Sequence, residues 1–221
     1  MLRQQKGNMY AWVSHTWNPI KGKCSHDCVY CYMKSFPLGD LRLVEKELKT
    51  DLGQDNIIFI GSSTDMWAEE VPHEWIKKIL GVCNRFPENK YLFQSKNPQR
   101  FLLYPELDSK NIILGTTIET NRDMSNISKA GSFDARISSM RALLNVHPEA
   151  SKIITIEPIL DFDIDKLVSG IFLACPDWVN IGADSKGHGL SEPYRIKVDM
   201  LIEELKVFTK VKEKKNLYRL K

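Results

Sequence analysis

The sequence predicts an α/β fold: a single-domain partial (β/α)6 barrel with a curved parallel sheet. Three observations lead there. Six short β-rich runs alternate with helix-like segments, the ends of those runs turn polar on one face, and 221 residues suit one barrel-sized domain with a substantial core. Alternating β and α units make parallel strands joined by right-handed crossovers. A flat doubly wound sheet is the other arrangement of the same units.

The runs are, in order, YAWVSHTW, NIIFIGSS, KYLFQSK, NIILGTTIE, KIITIEP and DWVNIGAD. Between them EWIKKILGVCNRF and SSMRALLNVH are amphipathic or mixed. The last helical segment, EPYRIKVDMLIEELKVF, places Tyr194, Val198, Leu201, Leu205 and Phe208 on one face at spacings of three and four. No repeat, low-complexity tract or linker interrupts this order, so the domain is expected to span 1–221.

Side chains alternate between the faces of a strand. Gln94 and Lys96 therefore share a face, as do Thr117 and Glu119, Thr155 and Glu157, and Asn180 and Asp184 across Gly182. The interleaved Phe93, Ile118, Ile156 and Ile181 are apolar and suited to meeting helices. One face thus becomes polar toward the C-terminal strand ends, where α/β folds place their sites. For Glu157 and Asp184 two readings stay open: carboxylates aimed into a cavity, or buried charges paired with Lys96 or Lys186.

Composition is that of an ordinary globular protein, which excludes wholesale disorder. No apolar stretch approaches a membrane span and the N-terminus lacks a secretory core, so a cytoplasmic chain with no membrane partner is expected. From Lys206 to Lys221 there are seven Lys or Arg against one acidic residue. That basic tail, about 206–221, reads first as a solvated helix end whose cations suit the dipole. Contact with nucleic acid is the second reading.

Of five cysteines, Cys24, Cys28 and Cys31 form C-x3-C-x2-C in a loop that opens with Asn18, Pro19 and Gly22. Cys83 lies in a helix-like stretch and reads as core, and Cys175, before the sixth run, as structural. An odd total with one tight cluster argues for metal or redox chemistry over a disulfide framework. Three thiolates can hold three corners of an iron–sulfur cube and leave one iron an exchangeable position. A structural zinc completed by His26 or His15, or simple packing, are the alternatives. Asp161, Asp163 and Asp165 mimic a calcium loop, but Lys166 and Phe172 stand where Gly and Glu are needed, so they read as turn and cap residues. No P-loop, G-x-S-x-G elbow or zinc helix is present.

The segment WNPIKGKCSHDCVYCYM resembles the cluster loop of the radical S-adenosylmethionine (SAM) superfamily, with Tyr30 as the aromatic before the last cysteine. The resemblance covers the whole chain, with the cluster loop at about 17–34. It implies a [4Fe–4S] cluster on Cys24, Cys28 and Cys31, S-adenosyl-L-methionine on the open iron, and hydrogen abstraction by a 5′-deoxyadenosyl radical. Where the superfamily often has GGEP after its second strand, this chain has Gly61-Ser62-Ser63-Thr64-Asp65. Ser63 or Asp65 with backbone carbonyls would then hold the SAM ammonium.

Within the superfamily the chain looks like spore photoproduct lyases and, more closely, small phage-associated members of unassigned substrate. Tyr30 and Tyr32 flank the last cysteine as in the lyases, and Lys96 and Thr117 match their strand-three lysine and strand-four hydroxyl. The phage-associated members share WNPIKG, Glu157-Pro158 and Gly182-x-Asp184-Ser185. The likeness places the SAM carboxylate near Lys96 and the ribose or carboxylate near Thr117 and Glu119, with Glu157 in the cavity. The lyases' hydrogen-donor cysteine is replaced by Ser62-Ser63, which departs from their route. A low-potential donor, flavodoxin or ferredoxin, is implied, and a nucleic-acid substrate and a monomer are expected. The alternative from another class is a non-catalytic iron–sulfur or zinc module that recruits a partner.

Overall fold

The computed structural model describes residues 1–5 and 9–220; Lys221, the last residue of the basic tail, lies outside them. Ten strands and four α-helices follow in order among the described residues: β1 Arg3–Gln4, β2 His15–Trp17, β3 Ile20–Lys21, β4 Arg42–Leu43, β5 Ile57–Ile60, α1 His73–Cys83, β6 Lys90–Ser95, β7 Ile112–Thr117, α2 Phe133–Val146, β8 Ser151–Ile156, α3 Ile164–Ala174, β9 Trp178–Ile181, α4 Arg195–Lys206 and β10 Lys210–Glu213. The main sheet runs β1-β2-β5-β6-β7-β8-β9-β10, parallel throughout except for β1 at its edge. β3 and β4 pair as a separate antiparallel ribbon. The fold is the α/β partial barrel expected, in a single domain.

All six β-rich runs enter the sheet, and the sequence expectation is corrected at three places. The first run contributes only His15–Trp17, because Tyr10 and Val13 leave the strand and pack with Phe59, Leu92, Ile113 and Ile153. These six buried side chains form a separate apolar cluster on the inner strand face, flanked by Trp12 and Trp178. The basic tail is not a helix end: α4 stops at Lys206, and Lys210–Glu213 adds a seventh parallel strand beside β9. Tyr194 stands exposed at the start of α4, while Val198, Leu201 and Leu205 are buried.

The outer core lies between sheet and helices, where Leu114, Ile154, Ile156, Val179 and Ile181 meet helical residues such as Ile79, Met140 and Leu167. Burying each such side chain contributes about 1.5–3 kcal/mol. α2 starts at Phe133, five residues before its amphipathic stretch, because Ser132 caps it by accepting from the Ala135 N–H. Gly170 on α3 is required there: a Cβ would stand 2.3 Å from the Phe133 ring. No helix among the described residues is long and apolar enough to cross a membrane.

Candidate functional site

Above the apolar floor the strand interior becomes polar in the order the alternation dictates. Tyr10 donates to Gln94 Oε1 at 2.7 Å and meets Thr155 Oγ1 at 2.8 Å. Gln94 Nε2 donates to Thr117 Oγ1 at 3.0 Å, and Asn180 Nδ2 to Thr155 Oγ1 at 3.2 Å. This belt closes the bottom of a cavity of about 1110 Å³ at the C-terminal strand ends. Tyr30, Tyr32, Ser63, Glu157, Asp184 and Lys214 are among its walls.

The cysteine loop forms one side. Gly22 launches it at φ +115°, with a hypothetical Cβ only 2.3 Å from the Asp40 carbonyl, so no side chain fits. Tight turns follow, Asp27 N–H to Cys24 O and Cys31 N–H to Cys28 O, each 3.2 Å. The segment after β7 holds the loop from behind: Val29 N–H donates to Ile127 O, Lys129 N–H to His26 O, and Cys28 Sγ meets Ser128 Oγ at 3.1 Å. All five cysteines are free; Cys28 is buried and Cys24 and Cys31 are half-buried. Burial, then the Asp65 charge, pushes the Cys24 thiol up to about 11. Cys83 is buried on α1, as read from sequence, and Cys175 is exposed at the end of α3.

Asp65 is buried and fully engaged. It accepts from His26 Nε2, Ser95 Oγ and the N–H groups of Lys96 and Trp67 at 2.8–3.0 Å. Burial alone would raise its carboxyl, but those donors, His26 first, outweigh burial and hold it low. Its geometry is that of a tie between the cysteine loop and β6. Ser63 does face the cavity, and its N–H donates to Asn18 Oδ1 at 3.0 Å. Tyr32 donates to the Ser62 carbonyl at 3.0 Å.

Glu119 is fully buried. Its carboxylate accepts from Tyr30 OH, pairs with Lys96 Nζ at 3.3 Å and takes Arg136 Nη1 at 2.7 Å. Arg136, buried on α2, also donates to the Thr117 carbonyl at 2.6 Å. Lys96 lies under the Tyr30 ring, 5.4 Å from its centroid.

Glu157 takes neither cation expected of it. Lys214 from the tail stands 2.5 Å from its carboxylate, and Asn216 donates to it at 3.0 Å. Gly182 makes this approach feasible, since a Cβ there would be 2.7 Å from Glu157 Oε1. Asp184 pairs with His188 rather than a lysine: Nδ1 lies 2.7 Å from Oδ1, and Oδ2 accepts the His188 N–H at 2.5 Å. His188 sits between Gly187 and Gly189, both at positive φ, and lines the cavity. Asp161 and Asp163 are bound by Arg122, with Lys197 on Asp161 at 2.6 Å; Asp163 occupies the position before α3, but its side chain makes no capping hydrogen bond.

The strand-end residues named from the sequence lie at one end of the sheet, and Asn18, Arg136, His188, Lys214 and Asn216 join them there from other segments. The Gly-His-Gly spacing was a usable signal for His188; nothing local marks the others.

The cysteines suit a [4Fe–4S] cluster by donor chemistry. Three free thiols share one short loop whose Gly22, Tyr30 and Tyr32 line the cavity, although no thiol is among the lining residues; a cube takes one thiolate per iron corner, so its ligands stand apart. Among the described residues no three His, Cys, Asp or Glu converge as a metal-holding group, and His26 Nε2 is occupied by Asp65.

A family model described as "Protein of unknown function (DUF5131)" matches residues 8–192. No curated protein matches the chain. Among solved structures, a spore photoproduct lyase mutant aligns at TM-score 0.59 and 14% identity, over 94% of this chain and 65% of its own. A second, with bound AdoMet and dinucleoside spore photoproduct, aligns at TM-score 0.58 and 14% identity, over 93% and 64%. Spore photoproduct lyase complexed with dinucleoside spore photoproduct aligns at TM-score 0.59 and 13% identity, over 93% and 64%. The present chain thus spans just under two thirds of those structures, and at this identity the likeness is one of fold.

Proposed function

This chain belongs to the DUF5131 family, and on that premise we propose that it is a radical SAM enzyme. The observation that carries the reading is the C-x3-C-x2-C loop beside the cavity, at the C-terminal strand ends of a partial barrel. The fold resembles that of spore photoproduct lyase, a radical SAM enzyme, which supports the class. Cys24, Cys28 and Cys31 would hold a [4Fe–4S] cluster. With SAM bound, that cluster would supply the electron for reductive cleavage of the sulfonium bond, and with it radical hydrogen-abstraction chemistry.

The chain's own residues bind and orient. Ser63 with the carbonyls of its turn suits the SAM ammonium, and Lys96, held by Glu119 against the Tyr30 ring, lends positive charge toward a carboxylate. Thr117, at the polar belt, and Glu157 suit hydroxyl groups. Glu119 and Asp65 have their oxygens engaged by protein donors and support neighbouring groups instead.

The substrate class we propose is nucleic acid. Arg3, Lys21, Arg42 and Lys186 line the cavity, and none forms an ion pair among the described residues. Tyr32 and Phe36, both exposed at the cavity, add aromatic faces suited to bases. A flavodoxin or ferredoxin would supply the electron.

Anaerobic reconstitution with iron and sulfide, then dithionite and SAM, is expected to yield 5′-deoxyadenosine, and Cys28→Ala to abolish it. No product from fully loaded protein would overturn the reading. One zinc and no acid-labile sulfide would favour a binding module.

A further inference from the structure

We propose that Glu119 is a positioning residue, which latches the cysteine loop through Tyr30 and parks the Lys96 ammonium beneath the Tyr30 ring. The proposal goes beyond the cofactor-contact role that resemblance suggests for Glu119. It rests on the radical SAM reading only for what the loop carries.

Three observations meet at this carboxylate. It is fully buried at the end of β7, and three donors from separate parts of the chain reach it: Tyr30 from the cysteine loop, Lys96 after β6 and Arg136 from α2. Tyr30 stands between Cys28 and Cys31, so fixing its hydroxyl fixes the backbone between two of the three thiols. Tyr30 lines the cavity and Lys96 lies beneath its ring, so the same contact that holds the loop also covers the lysine.

The electrostatics explain why a carboxylate is used. An unpaired buried carboxylate would be very costly, and Arg136 removes that cost from behind. Arg136 also donates to the Thr117 carbonyl, so the Glu119 side chain is anchored to its own strand. With that anchor made, the bond from Tyr30 is charge-assisted, about twice as strong as a neutral one. A neutral acceptor would hold the loop more loosely and leave Lys96 without its partner.

The test uses the metal-free protein, so it does not depend on cluster chemistry. Thiols are labelled with iodoacetamide under native conditions, and each cysteine is followed by peptide mass. Tyr30→Phe removes the latch while leaving the Lys96–Glu119 pair, and Glu119→Gln weakens both. In both variants Cys28 labelling is expected to quicken about tenfold. Cys83, buried on α1 away from the loop, reports global opening and is expected to keep its wild-type rate. Glu119→Asp, which keeps the charge, is expected to restore part of the protection. Unchanged Cys28 labelling in Tyr30→Phe overturns the latch. A rise in Cys83 matching that in Cys28 also overturns it, since Glu119 would then only stabilise the fold. Failure of the class reading appears elsewhere, as missing 5′-deoxyadenosine from loaded wild-type protein.

Discussion

Lys214, in the C-terminal tail, lies 2.5 Å from the carboxylate of Glu157 at the end of β8. The two side chains are 11% and 18% exposed, so the pair is largely withdrawn from water. Fifty-seven residues of chain separate them, and β10 is the element that brings them together. The tail therefore builds one wall of the cavity.

Breaking this pair from one side is costlier than removing it whole. Lys214→Met is expected to lower unfolding stability by about 3 kcal/mol, because the largely buried Glu157 carboxylate would lose this cation. The double variant with Glu157→Gln is expected to recover much of that loss. Urea denaturation of the four proteins in the cycle measures it. Additive losses would mean the two side chains do not interact.

Gly182→Ala acts on the same carboxylate through space. The new methyl carbon would sit 2.7 Å from Glu157 Oε1 and 3.0 Å from Asn216 Oδ1. Both obstructing side chains are fastened, one by Lys214 and the other by the Ala183 carbonyl and Ser185. Overpacking of this kind costs about 1–3 kcal/mol. The loss is expected to shrink in a Glu157→Ala background, where the methyl has room; an equal loss there would reject the explanation.

Acid should act through Asp184. Burial by itself raises its carboxyl, but the N–H groups of His188 and Lys186 and the His188 ring outweigh it, so the folded value lies below the usual one. A depressed folded value contributes stability above the unfolded value of about 3.9. That contribution disappears as pH falls through the lower folded value. Asp184→Asn is therefore expected to cost about 1–3 kcal/mol at neutral pH and progressively less below about pH 4. Urea midpoints at pH 7, 5, 4 and 3 decide this; a gap that stays constant throughout would exclude it.

If the cavity cations meet phosphates, binding of a single-stranded oligonucleotide must weaken as salt rises. Replacing Arg3, Lys21 and Arg42 together with Gln is expected to reduce the slope of log K against log salt by about 2. Fluorescence anisotropy over a salt series gives the slope. Salt-independent binding, or an unaltered slope in the variant, counts against a nucleic-acid substrate.

The inward row of Gln94, Thr117, Thr155 and Asn180 was legible in the sequence because strand alternation is a local rule: period two puts alternate residues on one face whatever surrounds them. The polar belt made by these four follows directly. Helix faces were legible for the same reason, with Val198, Leu201 and Leu205 buried on α4. Tyr194 escaped the pattern because the helix begins only after it, leaving its side chain in solvent.

Partners of charged groups obeyed no such rule. The sequence offered Lys96 and Lys186 for Glu157 and Asp184, and the fold supplied Lys214 and His188. Charge marks a need for compensation, but which cation provides it depends on where distant segments pass.

By itself the sequence determined the alternating order of strands and helices, the polar strand ends and the three-cysteine loop, all set by local periodicity and spacing. Only the tertiary structure decided that the tail is a strand, that Tyr10 and Val13 pack on the inner strand face, and that Glu119 serves Tyr30, Lys96 and Arg136 together. The reason is physical: the apolar residues of the tail, Phe208, Val211, Leu217 and Leu220, mark that it docks but not beside which strand, and a buried carboxylate is satisfied by donors that only folding brings within reach.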